Sequence, residues 1–227
     1  MPTAINPIAF EDQGWTVRYQ PPEHDLNAPV ILLLHGWTGD EKVMWIFTRA
    51  LAGRFWLFAP RAPIAVPSGG YAWLPHGEQR WPALQEFQPI VDQLLPALDR
   101  WSERVNLPVM SRLKPFHLMG FSQGAAMSFA VTAYYPARTA KVAALAGFFP
   151  RSSMDTNQDE GQLLKSAYAG RSVYMAHGKQ DEIVPVSMAV EAKNKLEHSG
   201  ASVTFCESEV GHKMSAGCLR GLEEFFA

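Results

Sequence analysis

Three polar residues, far apart in the chain, occupy positions where a side chain could do chemistry. They are Ser122 in "GFSQGAAMS", Asp181 in "AHGKQDEIVP" and His212 in "GHKM". A serine hydroxyl is a poor nucleophile at neutral pH, so a base must take its proton as it attacks a carbonyl. Imidazole titrates near the working pH, which makes His212 the candidate base. A carboxylate at 181 would hold the ring in one tautomer and stabilise the imidazolium, without itself accepting the proton.

The neighbours of Ser122 are small for a reason. At a tight turn from strand to helix the serine backbone is strained, and Gly120 and Gly124 must lack side chains so that strand and helix can approach. The same turn puts the Gln123 N–H at a helix N-terminus, where it could bind a developing oxyanion. A second donor should come from the loop after an earlier strand, and "LLLHGWTGDE" (32 to 41) offers the Trp37 backbone N–H. Removing one such donor typically costs about 3 to 4 kcal/mol of transition-state stabilisation.

A G-x-S-x-G match is weak alone, since a glycine-rich structural turn would look the same. Each candidate also has rivals. Glu182 is the nearest alternative to Asp181, but the spacing in "HGKQDEIVP" places Asp181 in a short loop before a helix that begins near Val186. His35 and His177 precede glycines at strand ends and read as backbone-bonded structural histidines. His24, His76 and His198 lie in polar or turn surroundings, and His117 lies within a strand. No HExxH or paired-ligand spacing occurs, so no metal is expected.

Several elements must position these groups. Short apolar runs at 30 to 36, 54 to 60, 116 to 122, 141 to 148, 172 to 178 and 202 to 208 alternate with helical-period segments at 84 to 105, 125 to 135, 186 to 200 and 219 to 226. That rhythm predicts an α/β fold with a mostly parallel sheet and helices on both faces. In such a sheet ligands bind outside the carboxyl ends of the strands. Ser122, Asp181 and His212 each follow an apolar run. Their order, serine then aspartate then histidine, is the one expected of α/β-hydrolases. The stretch 15 to 21 alternates and is expected to form an antiparallel edge strand. Two segments fit no regular element: the Pro- and Gly-rich stretch from Pro60 to Pro82, and the polar stretch 151 to 162, expected to be a solvated loop.

Composition narrows the function classes. The 227 residues are 47% hydrophobic and 19% charged, which suits one compact domain over 1–227. A net charge of -2 without a basic cluster argues against a nucleic-acid partner. Residues 116 to 137 carry no charge, yet Ser122, Gln123, Thr132 and Pro136 among them argue against membrane insertion. The N-terminal residues lack the pattern of a secretory signal, so a cytoplasmic setting is expected. With only Cys206 and Cys218 present, both are expected to be reduced, structural thiols.

The blocks "LLLHGWTGDE", "GFSQGAAMS", "AHGKQDEIVP" and "GHKM" together resemble the phospholipase/carboxylesterase family of serine hydrolases, which includes the acyl-protein thioesterases. The resemblance spans about residues 30 to 226. It implies an α/β-hydrolase without a separate cap domain, acting on carboxylic or thioester bonds without a cofactor. It also implies that Ser122, Asp181 and His212 match the family's triad, and that Trp37 and Gln123 match its oxyanion positions. Many relatives follow the tryptophan of the long loop with an aromatic residue and an aspartate, whereas Leu74 and Pro75 follow Trp73 here.

Aromatic residues complete the expectation. Trp45, Phe47, Trp56 and Phe58 read as core, and Tyr71, Trp73, Phe148 and Phe149 as lining of a substrate pocket at the crevice. The reading that results is a carboxylesterase acting on a small-molecule ester with a small to medium apolar acyl group, through an acyl-enzyme. Thioester and lysophospholipid substrates use the same constellation. A non-catalytic ligand-binding module on the same scaffold is the competing class. Oligomeric state is left open by the sequence.

Overall fold

A computed structural model of the chain describes residues 6–75, 81–152 and 157–227. An eight-stranded sheet forms its centre. In chain order the strands and helices are β1 (Ile8–Asp12), β2 (Trp15–Gln20), β3 (Val30–Leu34), β4 (Trp56–Pro60), the short pair β5 (Ile64–Ala65) and β6 (Tyr71–Ala72), α1 (Gln88–Arg104), α2 (Val109–Leu113) and β7 (Phe116–Phe121). There follow α3 (Gln123–Tyr134), β8 (Thr139–Leu145), α4 (Asn157–Tyr168), β9 (Ser172–Gly178), α5 (Val186–His198), β10 (Ser202–Ser208) and α6 (Ala216–Phe226). Single 3-10 turns occupy Val43–Phe47, Leu84–Phe87 and Pro136–Arg138.

The sheet order is β1-β2-β4-β3-β7-β8-β9-β10, with β5 and β6 forming a separate two-stranded piece. From β4 through β10 the neighbours are parallel; β1 and β2 are antiparallel additions at one edge. The stretch 15 to 21 is therefore antiparallel, as its alternation implied, but β1 covers it and takes the edge.

The continuous apolar runs have a direct physical cause. Side chains alternate across a strand, so a strand packed on both faces needs apolar residues at every position. Leu32 and Leu34 of β3, Leu118 of β7 and Val173 of β9 enter one core with α1, α3 and α5. Ile31, Leu33, Met119 and Tyr174 enter the other, beneath the 43–47 turn and α6. Helix α3 lies between the sheet and its neighbours, and nearly all of its residues are buried. Its buried hydroxyls are satisfied within the helix: Ser128 Oγ donates to the Gly124 carbonyl at 2.9 Å and Thr132 Oγ1 to the Ser128 carbonyl at 2.9 Å.

Two expectations are corrected here. The polar stretch 151 to 162 is not wholly a loop, because α4 begins at Asn157 within it; residues 153–156 lie outside the described residues. Its anchor comes from Leu164, Ala167 and Tyr168, beyond the polar part, and from buried Glu160, which pairs with Lys195 at 2.8 Å. Cys206 and Cys218 are not free thiols but a disulfide, with Cα atoms 5.7 Å apart. The pairing arises because α6 packs back along β10, which brings together two residues that the sequence separates by 12.

Candidate active site

The turn from β7 into α3 holds Ser122 with φ 54° and ψ -117°. That conformation is costly for a residue with a Cβ, of order 1 to 3 kcal/mol, and persists only where its surroundings fix it. Two glycines do so by absence. A Cβ on Gly120 would lie 2.1 Å from the Gly124 carbonyl oxygen, and one on Gly124 would lie 2.0 Å from the Leu34 carbonyl oxygen. Backbone hydrogen bonds complete the turn: Ser122 N–H donates to Leu145 O at 2.9 Å, and Ala125 N–H to Ser122 O at 3.0 Å.

Asp181 follows β9 and is buried. Its Oδ1 accepts the Ile183 and Val184 amides at 2.9 and 2.8 Å, and its Oδ2 lies 2.7 Å from His212 Nδ1. The carboxylate therefore fixes the imidazole with Nδ1 as the donor and turns Nε2 outward. Glu182, the rival carboxylate, is exposed and is not joined to His212 by this bond. The loop after β10 that carries His212 is laced to the Asp181 loop through main-chain bonds from Lys179 N–H to Ser208 O and Gln180 N–H to Val210 O. Gly178 permits this contact, since a Cβ there would meet the Val210 oxygen at 2.2 Å and the Gly211 oxygen at 2.3 Å.

Ser122 and His212 line one cavity of about 590 Å³, together with Gly36, Trp37 and Thr38 from the loop after β3. Its apolar wall is supplied by Val43, Met44, Ile46 and Phe47 of the first 3-10 turn, with Phe121, Ile183 and Met214. Phe121 packs against the His212 ring at 4.9 Å and stacks on Phe47 at 5.7 Å. Sequence pattern singles out none of these wall residues for a pocket, and reads Phe47 as core. The available signal was the apolar "VMWIF" directly after the "HGWTGDEK" loop.

The four aromatics expected to line the pocket lie elsewhere. Trp73 is wholly buried, with its indole against His35 and Trp15. Phe148 packs on Trp81, Phe149 on Phe129 and Tyr168, and Tyr71 beneath the Arg61 guanidinium. The cause is the path of the long loop. Gly39 and Tyr71 pair as a β-bridge, and Gly70 lies against Thr38, where a Cβ would meet the Thr38 oxygen at 1.9 Å. This folds the loop onto the 36–41 segment and drives Trp73 into the core. Residues 76–80 of that loop, His76 included, lie outside the described residues.

Three of the other described histidines, His35, His177 and His117, are held structurally. Buried His35 lies 2.8 Å from the Gly36 oxygen through Nδ1, and its Nε2 accepts the Ala62 amide at 2.9 Å. Buried His177 bonds the Val184 carbonyl through Nε2 at 2.8 Å. Burial depresses the pKa of both, and burial with Lys141 nearby lowers that of His117 to about 4. His198 bonds Asn194 O within α5, and His24 is exposed. Among the described residues, no group of three or more His, Cys, Asp or Glu side chains is arranged to hold a metal ion. Nor is any helix among them long and apolar enough to cross a membrane.

A mostly parallel sheet flanked by helices, with a strained serine at a strand-to-helix turn and a carboxylate-bound histidine at neighbouring strand ends, defines an α/β-hydrolase fold. Residues 21–227 match the phospholipase/carboxylesterase family, and the chain belongs to it. Acyl-protein thioesterase 1 of Saccharomyces cerevisiae is 26% identical over 186 residues, covering 74% of this chain and 77% of that one. Among solved structures, the Bacillus cereus carboxylesterase superposes with a TM-score of 0.78 at 20% identity, covering 95% of this chain and 94% of its own. A carboxylesterase from Mesorhizobium loti gives 0.78 at 18% identity, covering 97% and 98%. The family is one of hydrolases and esterases.

Proposed function

We propose that the chain is a single-domain serine carboxylesterase that cleaves esters of small to medium apolar acyl groups through an acyl-enzyme. In this reading Ser122 Oγ attacks the ester carbonyl as His212 Nε2 takes its proton. Asp181 holds the ring and stabilises the imidazolium, and His212 returns the proton to the leaving alkoxide. The Trp37 and Gln123 amides bind the oxyanion of the tetrahedral intermediate. Water, deprotonated by His212, then releases the acid. The observation that carries the reading is the 2.7 Å contact between Asp181 and His212, with His212 and Ser122 on one apolar-walled cavity.

In this reading the acyl chain lies against Phe47, Met44, Phe121 and Met214, which form part of the apolar wall of that cavity. Stoichiometric labelling of the folded protein by a fluorophosphonate probe, abolished in Ser122→Ala, is the expected result. Folded protein that takes up no probe points instead to the non-catalytic binding module.

A second reading, acyl thioester hydrolysis, draws on the likeness to the yeast thioesterase. The two separate on a matched oxygen-ester and thioester pair with the same acyl chain, by the ratio of kcat/KM. The cytoplasmic setting remains part of the proposal and is tested by cell fractionation. The Cys206–Cys218 bridge weighs against it, since protein disulfides persist mainly in oxidising compartments.

A further inference from the structure

Trp73 has no place on the cavity wall, yet both of its N–H groups are spent on the segments that carry the two oxyanion amides. Its backbone N–H donates to Gln123 Oε1 at 2.8 Å, and its indole Nε1–H donates to the His35 carbonyl at 2.7 Å. Gln123 is the first residue of α3, and His35 begins the 35–37 segment that ends at Trp37. One fully buried residue thus links the Gln123 side chain, through its backbone N–H, to the loop after β3, through its indole.

The chain of contacts continues to the oxyanion peptide itself. His35 Nδ1–H donates to the Gly36 carbonyl at 2.8 Å, and the Gly39 N–H donates to the same oxygen at 3.0 Å. The Gly36 carbonyl and the Trp37 N–H belong to one planar trans peptide, so fixing the oxygen fixes the direction of the N–H on its far side. Two donors on that oxygen also polarise the peptide, which strengthens the N–H as a donor. The tautomer required for this is set by the Ala62 N–H, which donates to His35 Nε2 at 2.9 Å and leaves the proton on Nδ1.

We propose that Trp73, acting through His35 and the Gln123 side chain, is a positioning residue that sets the mutual geometry of the Trp37 and Gln123 oxyanion donors. The inference rests on the esterase reading above. It assigns the long loop a task in transition-state binding rather than in acyl recognition. Its departure at Leu74 and Pro75 is compatible with that task, because the two contacts use the Trp73 backbone and indole alone.

The test uses Trp73→Phe, which keeps the backbone N–H and an aromatic ring but removes the indole donor. His35→Gln is the companion variant, retaining a side-chain donor of different reach. Active-site concentration is first fixed by fluorophosphonate titration, so that a loss of folded enzyme is not mistaken for a loss of rate. The expected result for Trp73→Phe is a fall in kcat of about 10- to 100-fold with KM near its original value, because the donors are misaimed rather than deleted. Affinity for a trifluoromethyl ketone, which forms a tetrahedral adduct, should fall by the same factor as kcat/KM. Affinity for the non-hydrolysable ether analogue of the ester should stay put.

A kcat per active site within twofold of the original overturns the proposal, as does an ether analogue that weakens as much as the ketone. If Trp73→Phe does not fold, His35→Gln carries the same comparison. An unchanged ketone-to-ether ratio there overturns the proposal equally. Absence of probe labelling in the unsubstituted protein removes the esterase reading and this inference together. Labelling with an unaltered Trp73→Phe profile removes this inference alone.

Discussion

His212 Nδ1 and Asp181 Oδ2 lie 2.7 Å apart, and the other oxygen of the same carboxylate is held by the Ile183 and Val184 amides. The bond therefore joins the imidazole to a carboxylate that is already anchored, not to one free to follow it. Asp181→Asn keeps an oxygen for the two amides but can no longer accept from Nδ1–H in the same way. The expected outcome is a folded protein whose kcat falls by about 10⁴-fold, read by steady-state hydrolysis of a chromogenic ester. A loss below tenfold would remove Asp181 from the mechanism.

Gly178 is where the loops bearing these two residues touch. A methyl group there must displace the backbone at Val210 and Gly211, directly before His212. Gly178→Ala is expected to cost about 1 to 3 kcal/mol of stability and to lower kcat in the protein that remains folded. Urea unfolding and kinetics on the same preparation check both effects; unaltered values in both would show that the contact yields without cost.

The proposed placement of the acyl chain against Phe47 makes a chain-length prediction. Phe47→Ala enlarges the wall, so the optimum of kcat/KM along an ester series should move to longer acyl groups. Each methylene buried contributes about 0.8 kcal/mol, roughly fourfold in kcat/KM. Trp73→Phe should leave the optimum where it is. A shift in Trp73→Phe without one in Phe47→Ala would return the acyl pocket to the long loop.

Stability should fall as the solution is acidified below about pH 6.5. His35, His177 and His117 all have folded-state pKa values depressed by burial, that of His117 to about 4. Below the unfolded value the unfolded chain takes up protons that the native state refuses, so acid favours unfolding. Each group adds a slope of at most about 1.4 kcal/mol per pH unit, lost for His117 only as the pH falls through about 4. Urea midpoints at pH 7.5 and pH 5 measure the combined slope. His117→Gln, which keeps an acceptor for the Lys141 amide, should flatten it.

The Cys206–Cys218 bridge closes a loop that contains His212, with a sequence separation of 12. Constraint of so short a loop in the unfolded chain is worth about 3 kcal/mol. Reduction should lower the melting temperature, as should the double change Cys206→Ser with Cys218→Ser. A melting temperature indifferent to reductant, with two titratable thiols already present before treatment, would show the cysteines to be unpaired in the protein as prepared.

Much of the architecture was legible because burial on both sheet faces writes itself into the sequence as unbroken apolar runs. The six parallel strands follow those runs to within a few residues. The candidate site was legible for a related reason: Ser122, Asp181 and His212 each stand just beyond such a run, where a parallel sheet opens its crevice. Helix α4 escaped notice because its apolar residues cluster in its last turns, after a polar beginning.

What the linear chain determined by itself was the set of chemical groups, their attachment to strand ends, and the demand for glycine at 120 and 124. Tertiary structure alone decided which aromatics line the cavity beside Ser122 and His212 and whether the thiols meet. Those outcomes turn on how the 60–75 loop lies against the 36–41 loop and how α6 lies along β10. Such long-range packing leaves no local period to read. That is why Trp73, a plausible pocket wall in sequence, lies buried between the segments that carry Gln123 and His35.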